Sequence, residues 1–139
     1  MAELGQSIGE ELLKVHTSYG MLVQALLKKF NTAKLRIIKG IAHITGGGFI
    51  DNIPRVLPKK CDVEIRKGSW EMLPIFQIIA ARSGVPEEEL YQVFNMGIGM
   101  TLIVDPAKAE AVLRFIRGRK LKAWQIGAVI KGSGRVRMA

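Results

Sequence analysis

The chain has 139 residues, a net charge of +9, 48% hydrophobic and 24% charged residues, which is one ordinary globular domain and excludes a disordered tail. No apolar run approaches the roughly 20 residues of a membrane-spanning helix, and the start, Met1-Ala2-Glu3-Leu4-Gly5, lacks the basic and apolar regions of a signal peptide. Cys61 is the only cysteine, so an internal disulfide is excluded and a cytoplasmic location is expected.

Helical spacing opens the chain with Ile8, Leu12 and Leu13. A second helix is predicted from Ser18 as N-cap, with Tyr19, Leu22, Val23, Leu26, Leu27 and Phe30 as its apolar stripe and Lys28 and Lys29 in the last turn, where the dipole favours cations. Lys39 to Thr45 reads as a strand, with Ile41, His43 and Thr45 on one face and Ala42 and Ile44 on the other. Gly46-Gly47-Gly48 follows, then a helical segment to Leu57 that Pro54 must open or kink. Cys61 to Arg66 alternates as a strand. Trp70 to Ala81 reads as a helix, and Pro86 opens another, with Glu87, Glu88 and Glu89 in its first turn. Gly97 to Val104 is a predicted strand. Asp105 and Pro106 start a helix with Ala109, Val112, Leu113 and Ile116 inward and Gly118 as its left-handed C-terminal stop. Ala123 to Ile130 is a strand, and Arg135 to Met138 is expected to pair with it across Gly132-Ser133-Gly134. This order predicts an α+β domain, a mixed sheet covered by helices.

The charge is uneven. From Lys108 onward there are nine Lys/Arg and one acid, Glu110. Such an end attracts phosphates or nucleic acid, or is a solvated face. Trp124 is the only aromatic after Phe115, so base stacking finds no support and nucleic acid is disfavoured as a partner.

Two glycine segments stand out. In the first, His43-Ile44-Thr45-Gly46-Gly47-Gly48, a strand runs into a helix start. Three glycines let successive N–H groups converge on an anion, with a helix N-terminus adding field beneath. Thr45 can donate its hydroxyl, His43 shares its face, and Asn52 and Arg55 follow within two turns. A plain tight turn with a core histidine fits equally, because no Walker loop or dinucleotide fingerprint is present. In the second, Phe94-Asn95-Met96-Gly97-Ile98-Gly99-Met100, alternate glycines bare one strand face to a ligand or to close packing. Met96 and Met100 read as core filler. Asp51 near His43 suggests either an acid–base pair or a cap. No metal spacing and no nucleophile motif are present.

At these residues the chain resembles the C-terminal domain of aminoimidazole ribonucleotide (AIR) synthetase, phosphoribosylformylglycinamidine cyclo-ligase. Ala42-His43-Ile44-Thr45-Gly46-Gly47-Gly48-Phe49 running into Asn52-Ile53-Pro54-Arg55-Val56-Leu57-Pro58 is similar to the first signature, and Phe94 to Met100 to the second. Trp70 with Pro74-Ile75-Phe76, and Trp124 with Ile126-Gly127 and Val129, fit the spacing. The resemblance implies that residues 1–139 form the C-terminal domain of an ATP-dependent ligase of purine biosynthesis, without its N-terminal ATP-binding half. It implies that this half, fused or separate, is the partner, that the subunits form a homodimer, and that the substrate is a phosphoribosyl compound. It further implies ATP and Mg²⁺ as cofactors of the complete enzyme and none for this chain alone. Candidate phosphate contacts are His43, Thr45, Gly46, Gly47, Gly48, Asn52 and Arg55, with Asn95, Gly97 and Gly99 as the second motif and no assigned catalytic residue. A stand-alone anion- or nucleotide-binding module and a basic nucleic-acid-binding domain are the alternatives. The family's usual Pro-Thr-Arg-Ile-Tyr is here Val15-His16-Thr17-Ser18-Tyr19, Asp51 stands for a usual Glu, Lys120-Leu121 for Gly-Glu and Ala128 for Glu. A face left by the missing half is expected beside the glycine loop, with Phe49 and Met100 partly exposed on it.

Overall fold

A computed structural model describes residues 2–139. In chain order the elements are α1 (Ile8–Leu12), α2 (Gly20–Phe30), β1 (Ile38–His43), α3 (Gly48–Asn52), β2 (Cys61–Ile65), α4 (Pro74–Arg82), α5 (Glu87–Val93), β3 (Met100–Val104), α6 (Ala109–Arg117), β4 (Gly127–Lys131) and β5 (Val136–Met138), with short 3-10 turns at Ala2–Leu4, Ile53–Val56 and Pro106–Lys108. The α+β class is as the sequence predicts, but the strands divide into two sheets. β1 pairs antiparallel with β3, from Ile38 opposite Val104 to His43 opposite Met100. The other sheet is β4-β2-β5, antiparallel between β2 and β4 and parallel between β2 and β5.

Local chemistry accounts for most helix ends. α1 begins at Ser7, whose hydroxyl accepts the Glu10 N–H while the Glu10 carboxylate accepts the Ser7 N–H, a reciprocal cap. The apolar spacing of this segment makes a helix but no core contact: Leu12 and Leu13 are 70% and 83% exposed. Ser18 is not the cap of α2. Tyr19 precedes that helix in a helical conformation, and no side chain caps it. α4 starts four residues later than predicted, because Pro74 takes the first helical position; Trp70 lies in the loop before it, buried, with its indole N–H donating to the Met96 carbonyl. Asp105 caps the turn into α6 by accepting the Ala107 N–H. Gly118 closes α6 with φ −62°, and the left-handed residue beyond it is Lys120, φ +61°.

Two apolar clusters fill the interior. Ala42, Ile44, Phe49, Ile53, Val63, Ile65, Trp70, Leu90, Tyr91, Met96 and Ile98 form the larger, and Leu26, Phe30, Ile37, Ile38, Val112 and Ile116 the smaller. β1 separates them: Ala42 and Ile44 point into the first, while Ile41 packs on the second. A cavity of about 500 Å³ is lined by residues of β3, β4, the Ala123–Ile126 segment and α6.

Asp62 organises the three-stranded sheet. It is fully buried, and its Oδ1 accepts the N–H groups of Ser133, Gly134 and Arg135 at 2.6, 3.0 and 2.9 Å. Oδ2 accepts from Arg137 Nε at 2.8 Å. These bonds draw the Gly132–Arg135 turn over β2, so β5 pairs with β2 and not with β4 as expected from the sequence. Gly132 must be a glycine, since a β-carbon there would overlap the Asp62 carboxylate. The Arg135 and Ser133 N–H groups, then the Arg137 guanidinium, hold this carboxyl well below the ordinary carboxylate range. A depressed folded-state pKa stabilises the fold above the unfolded value of about 3.9, and the stabilisation is lost as pH falls toward the folded value. Asp62→Asn is therefore expected to melt several degrees below the parent at pH 7, with the gap closing as pH drops below about 4; thermal melts across pH 3 to 7 check this.

Candidate functional site: the glycine corner

β1 ends at His43, and the chain turns through Gly46, Gly47 and Gly48 into α3. Alternation carries past the strand: Ala42 and Ile44 are buried, and His43 and Thr45 face outward together. Gly47 has φ +93° and Gly48 φ +53°. The Gly48 N–H donates to the Thr45 carbonyl at 3.0 Å, which closes the turn. The N–H groups of Gly46 and Gly47 have no partner among the described residues, and Gly46 is exposed. Two of the three amides, with the Thr45 hydroxyl and the His43 ring, thus form a donor set open to solvent.

The three glycines have different physical jobs. Gly48 is buried, and a β-carbon on it would overlap the Tyr91 carbonyl of α5, with the Phe94 carbonyl at 2.9 Å. At Gly47 a β-carbon would meet Asp51, whose Oδ2 lies 2.8 Å from its position. At Gly46 nothing lies within 4 Å and φ is not positive. Asp51 forms neither an ion pair with His43 nor a cap on α3; its carboxylate stands over Gly47. α3 is only five residues long and continues as the 3-10 turn Ile53–Val56, so the dipole beneath the loop is small.

The other predicted contacts divide. Asn52 is 3% exposed and points inward, its Nδ2 donating to the carbonyls of Gly48 (2.8 Å), Gly46 (3.2 Å) and Thr45 (3.4 Å). It fixes the shape of the corner from below. Arg55 is exposed on the 3-10 turn. Asn95 accepts the Gly97 N–H at 2.9 Å, a side chain-to-backbone turn. Gly97, φ +94°, belongs to that turn and not to the strand, which starts at Met100. Gly99 is bare for a packing reason: the Tyr19 hydroxyl occupies the place of its β-carbon. Gly97 and Gly99 line the 500 Å³ cavity; Gly46, Gly47 and Gly48 do not.

Phe49 is fully buried, contrary to the exposed position expected, and its ring packs 5.7 Å from Trp70 and 6.1 Å from Tyr91. Exposed apolar residues lie instead around the α1–α2 connection: Leu12, Leu13 and Val15, with Met21 at the start of α2, are 70–96% exposed. Met100 is half-buried. The basic end is partly engaged. Arg137 pairs with Asp62, Lys122 with Glu71, Arg117 donates twice to the Ala123 carbonyl, and Arg119 lies 3.6 Å from the Phe115 ring centre.

Residues missed by sequence reasoning are His16 and Tyr19. Their rings join His43: His16 to His43 is 5.6 Å, Tyr19 to His43 6.0 Å and His16 to Tyr19 6.1 Å, all edge-on. The bareness of Gly99 signalled a close neighbour, but not which one. Among the described residues no three His, Cys, Asp or Glu side chains assemble to hold a metal ion. No described helix is long and apolar enough to cross a membrane.

The class is an α+β domain in which a strand runs through a triple-glycine corner into a short helix, with a second glycine turn ahead of the strand that pairs with it. Residues 4–139 match the family described as AIR synthase related protein, C-terminal domain, and the chain belongs to it. It is 46% identical over 127 residues to the phosphoribosylformylglycinamidine cyclo-ligase of Geobacillus thermodenitrificans, covering 91% of this chain and 35% of that protein. It is 46% identical over 134 residues to that of Caldicellulosiruptor bescii, covering 96% and 38%. The chain thus spans little more than a third of the length of these relatives.

The geometry separates structural from solvent-facing glycines. Gly48→Ala is expected to cost roughly 2 kcal/mol or more, because both its φ and its backbone neighbours forbid a side chain. Gly46→Ala is expected to stay within about 0.5–1 kcal/mol of the parent. Urea denaturation of the two variants measures the difference.

Proposed function

We propose that this chain is the C-terminal portion of a phosphoribosylformylglycinamidine cyclo-ligase and supplies phosphate contacts for the ribonucleotide substrate at the glycine corner. The observation that carries this reading is the pair of unpartnered amides at Gly46 and Gly47 beside the outward-facing Thr45 and His43. Backbone N–H groups grouped in this way match the oxygens of a phosphate. Arg55, exposed on the next turn, can add a charge-assisted contact. Gly48 and Asn52 act indirectly, holding the backbone in place. The relatives are cyclo-ligases, which fits a corner that binds and orients a ribonucleotide.

In this reading ATP and Mg²⁺ are held by an N-terminal half, fused or separate, and the complete enzyme is a homodimer in the cytoplasm. The support is that the chain matches little more than a third of the length of its relatives. The exposed Leu12, Leu13, Val15 and Met21 suit an inter-domain face. Phosphoryl transfer works by positioning and by neutralising charge with a metal. The chain alone is accordingly expected to release no ADP from ATP with or without substrate; turnover of order 1 per second, typical of enzymes, would overturn this division of labour.

Gly46→Val tests the corner without disturbing the fold, since Gly46 has open space around it. It is expected to weaken binding of ribose 5-phosphate while lowering the melting temperature by no more than a few degrees. Asp51→Asn removes the one carboxylate that stands over the corner and is expected to strengthen the same binding. Calorimetric titration of both variants reads the two effects in opposite directions, and a Gly46→Val variant that binds like the parent would sink the reading.

A further inference from the structure

The segment between α1 and α2 has no regular secondary structure, and Val15 at its middle is 96% exposed. Yet two of its rings turn back on β1. Tyr19 sits over Gly99, the residue whose carbonyl accepts the Ile44 N–H, and so lies beside the end of β1. His16 stands edge-on to both Tyr19 and His43. The edge-on contacts hold the two imidazoles beside each other. Neither His16 nor His43 has a hydrogen-bond or ion-pair partner among the described residues, and both are exposed.

We propose that His16 and His43 act as an imidazole pair that grips a phosphate monoester from the side of this segment, with Tyr19 as the positioning residue for both rings. The proposal rests on the reading of the glycine corner as an anion site and adds to it a residue from a distant part of the chain. The donor count selects the ligand. Each imidazole offers at least one N–H. The Thr45 hydroxyl and the Gly46 and Gly47 amides follow His43 by two to four residues, so with the two rings this corner offers five donors. That suits the several oxygens of a terminal phosphate better than the two of a carboxylate. A metal is the poorer fit for the two rings, because no third ligand joins them among the described residues. The opposing charge is Asp51, which stands over Gly47.

The test is an NMR titration of the full chain with ribose 5-phosphate, following the imidazole signals. Both His16 and His43 are expected to shift along one binding curve. His16→Ala is expected to weaken binding about tenfold or more, the usual worth of a hydrogen bond to a charged group. His16→Gln keeps an N–H donor and is expected to recover part of it. His16 is exposed, so both variants should melt with the parent. If His16→Ala binds like the parent while Gly46→Val binds weakly, the corner is an anion site and the imidazole pair is wrong. If the parent shows no shift at millimolar ligand, both ideas fall together.

Discussion

The backbone of α3 rests directly on the carbonyl end of α5, and the site depends on that contact. Only a residue without a side chain can occupy Gly48, because the Tyr91 and Phe94 carbonyls fill the space a β-carbon would need. Once Gly48 is seated, the next residue, Phe49, is driven into the ring cluster with Trp70 and Tyr91. Asn52, one turn on, then reaches back to three carbonyls of the loop. The outward direction of the Gly46 and Gly47 amides follows from these inward anchors. Rigidity in the corner therefore comes from packing beneath it, which is how a short loop can be held without a long helix behind it.

The second glycine motif serves the same end by a different route. Trp70 donates to the Met96 carbonyl, Asn95 holds the Gly97 amide, and Met96 is carried into the core with φ +48°. This turn delivers Gly99 to the end of β1, where Tyr19 covers it. The two motifs are thus parts of one junction.

Much of this was legible in the sequence, and the exceptions have physical reasons. The β1 strand, its outward His43 and Thr45, and the glycine turn follow from period-two alternation and from what only glycine can do. The inward face of α6 follows from its apolar spacing, with Val112, Leu113 and Ile116 all buried. Phe49 was misplaced because the residue after a glycine loop reads as surface unless the contact beneath it is known. The inward direction of Asn52 is illegible for a related reason: an amide near a loop can point either way, and its burial is a tertiary fact. Residue type predicts Ser18 as the cap, but Tyr19 lies over Gly99 and the helix starts at Gly20. His16 was illegible because it belongs to a segment without periodicity, placed by a ring contact from a remote part of the chain. Where β5 pairs was decided by Asp62, whose burial no local pattern announced.

Asp62 also sets an order of events. Its partners, Ser133 to Arg137, lie 71 to 75 residues further along the chain. Until they arrive, the residue at the centre of the sheet is a bare carboxylate that resists being buried. β2 and β4 can meet as soon as both exist, but the sheet cannot shed water from this position before its last strand is made. Closing so long a loop is slow compared with forming the helices between. During synthesis the glycine corner can therefore be assembled while the β4-β2-β5 sheet is still open, and the completed domain is sealed from its C-terminal end.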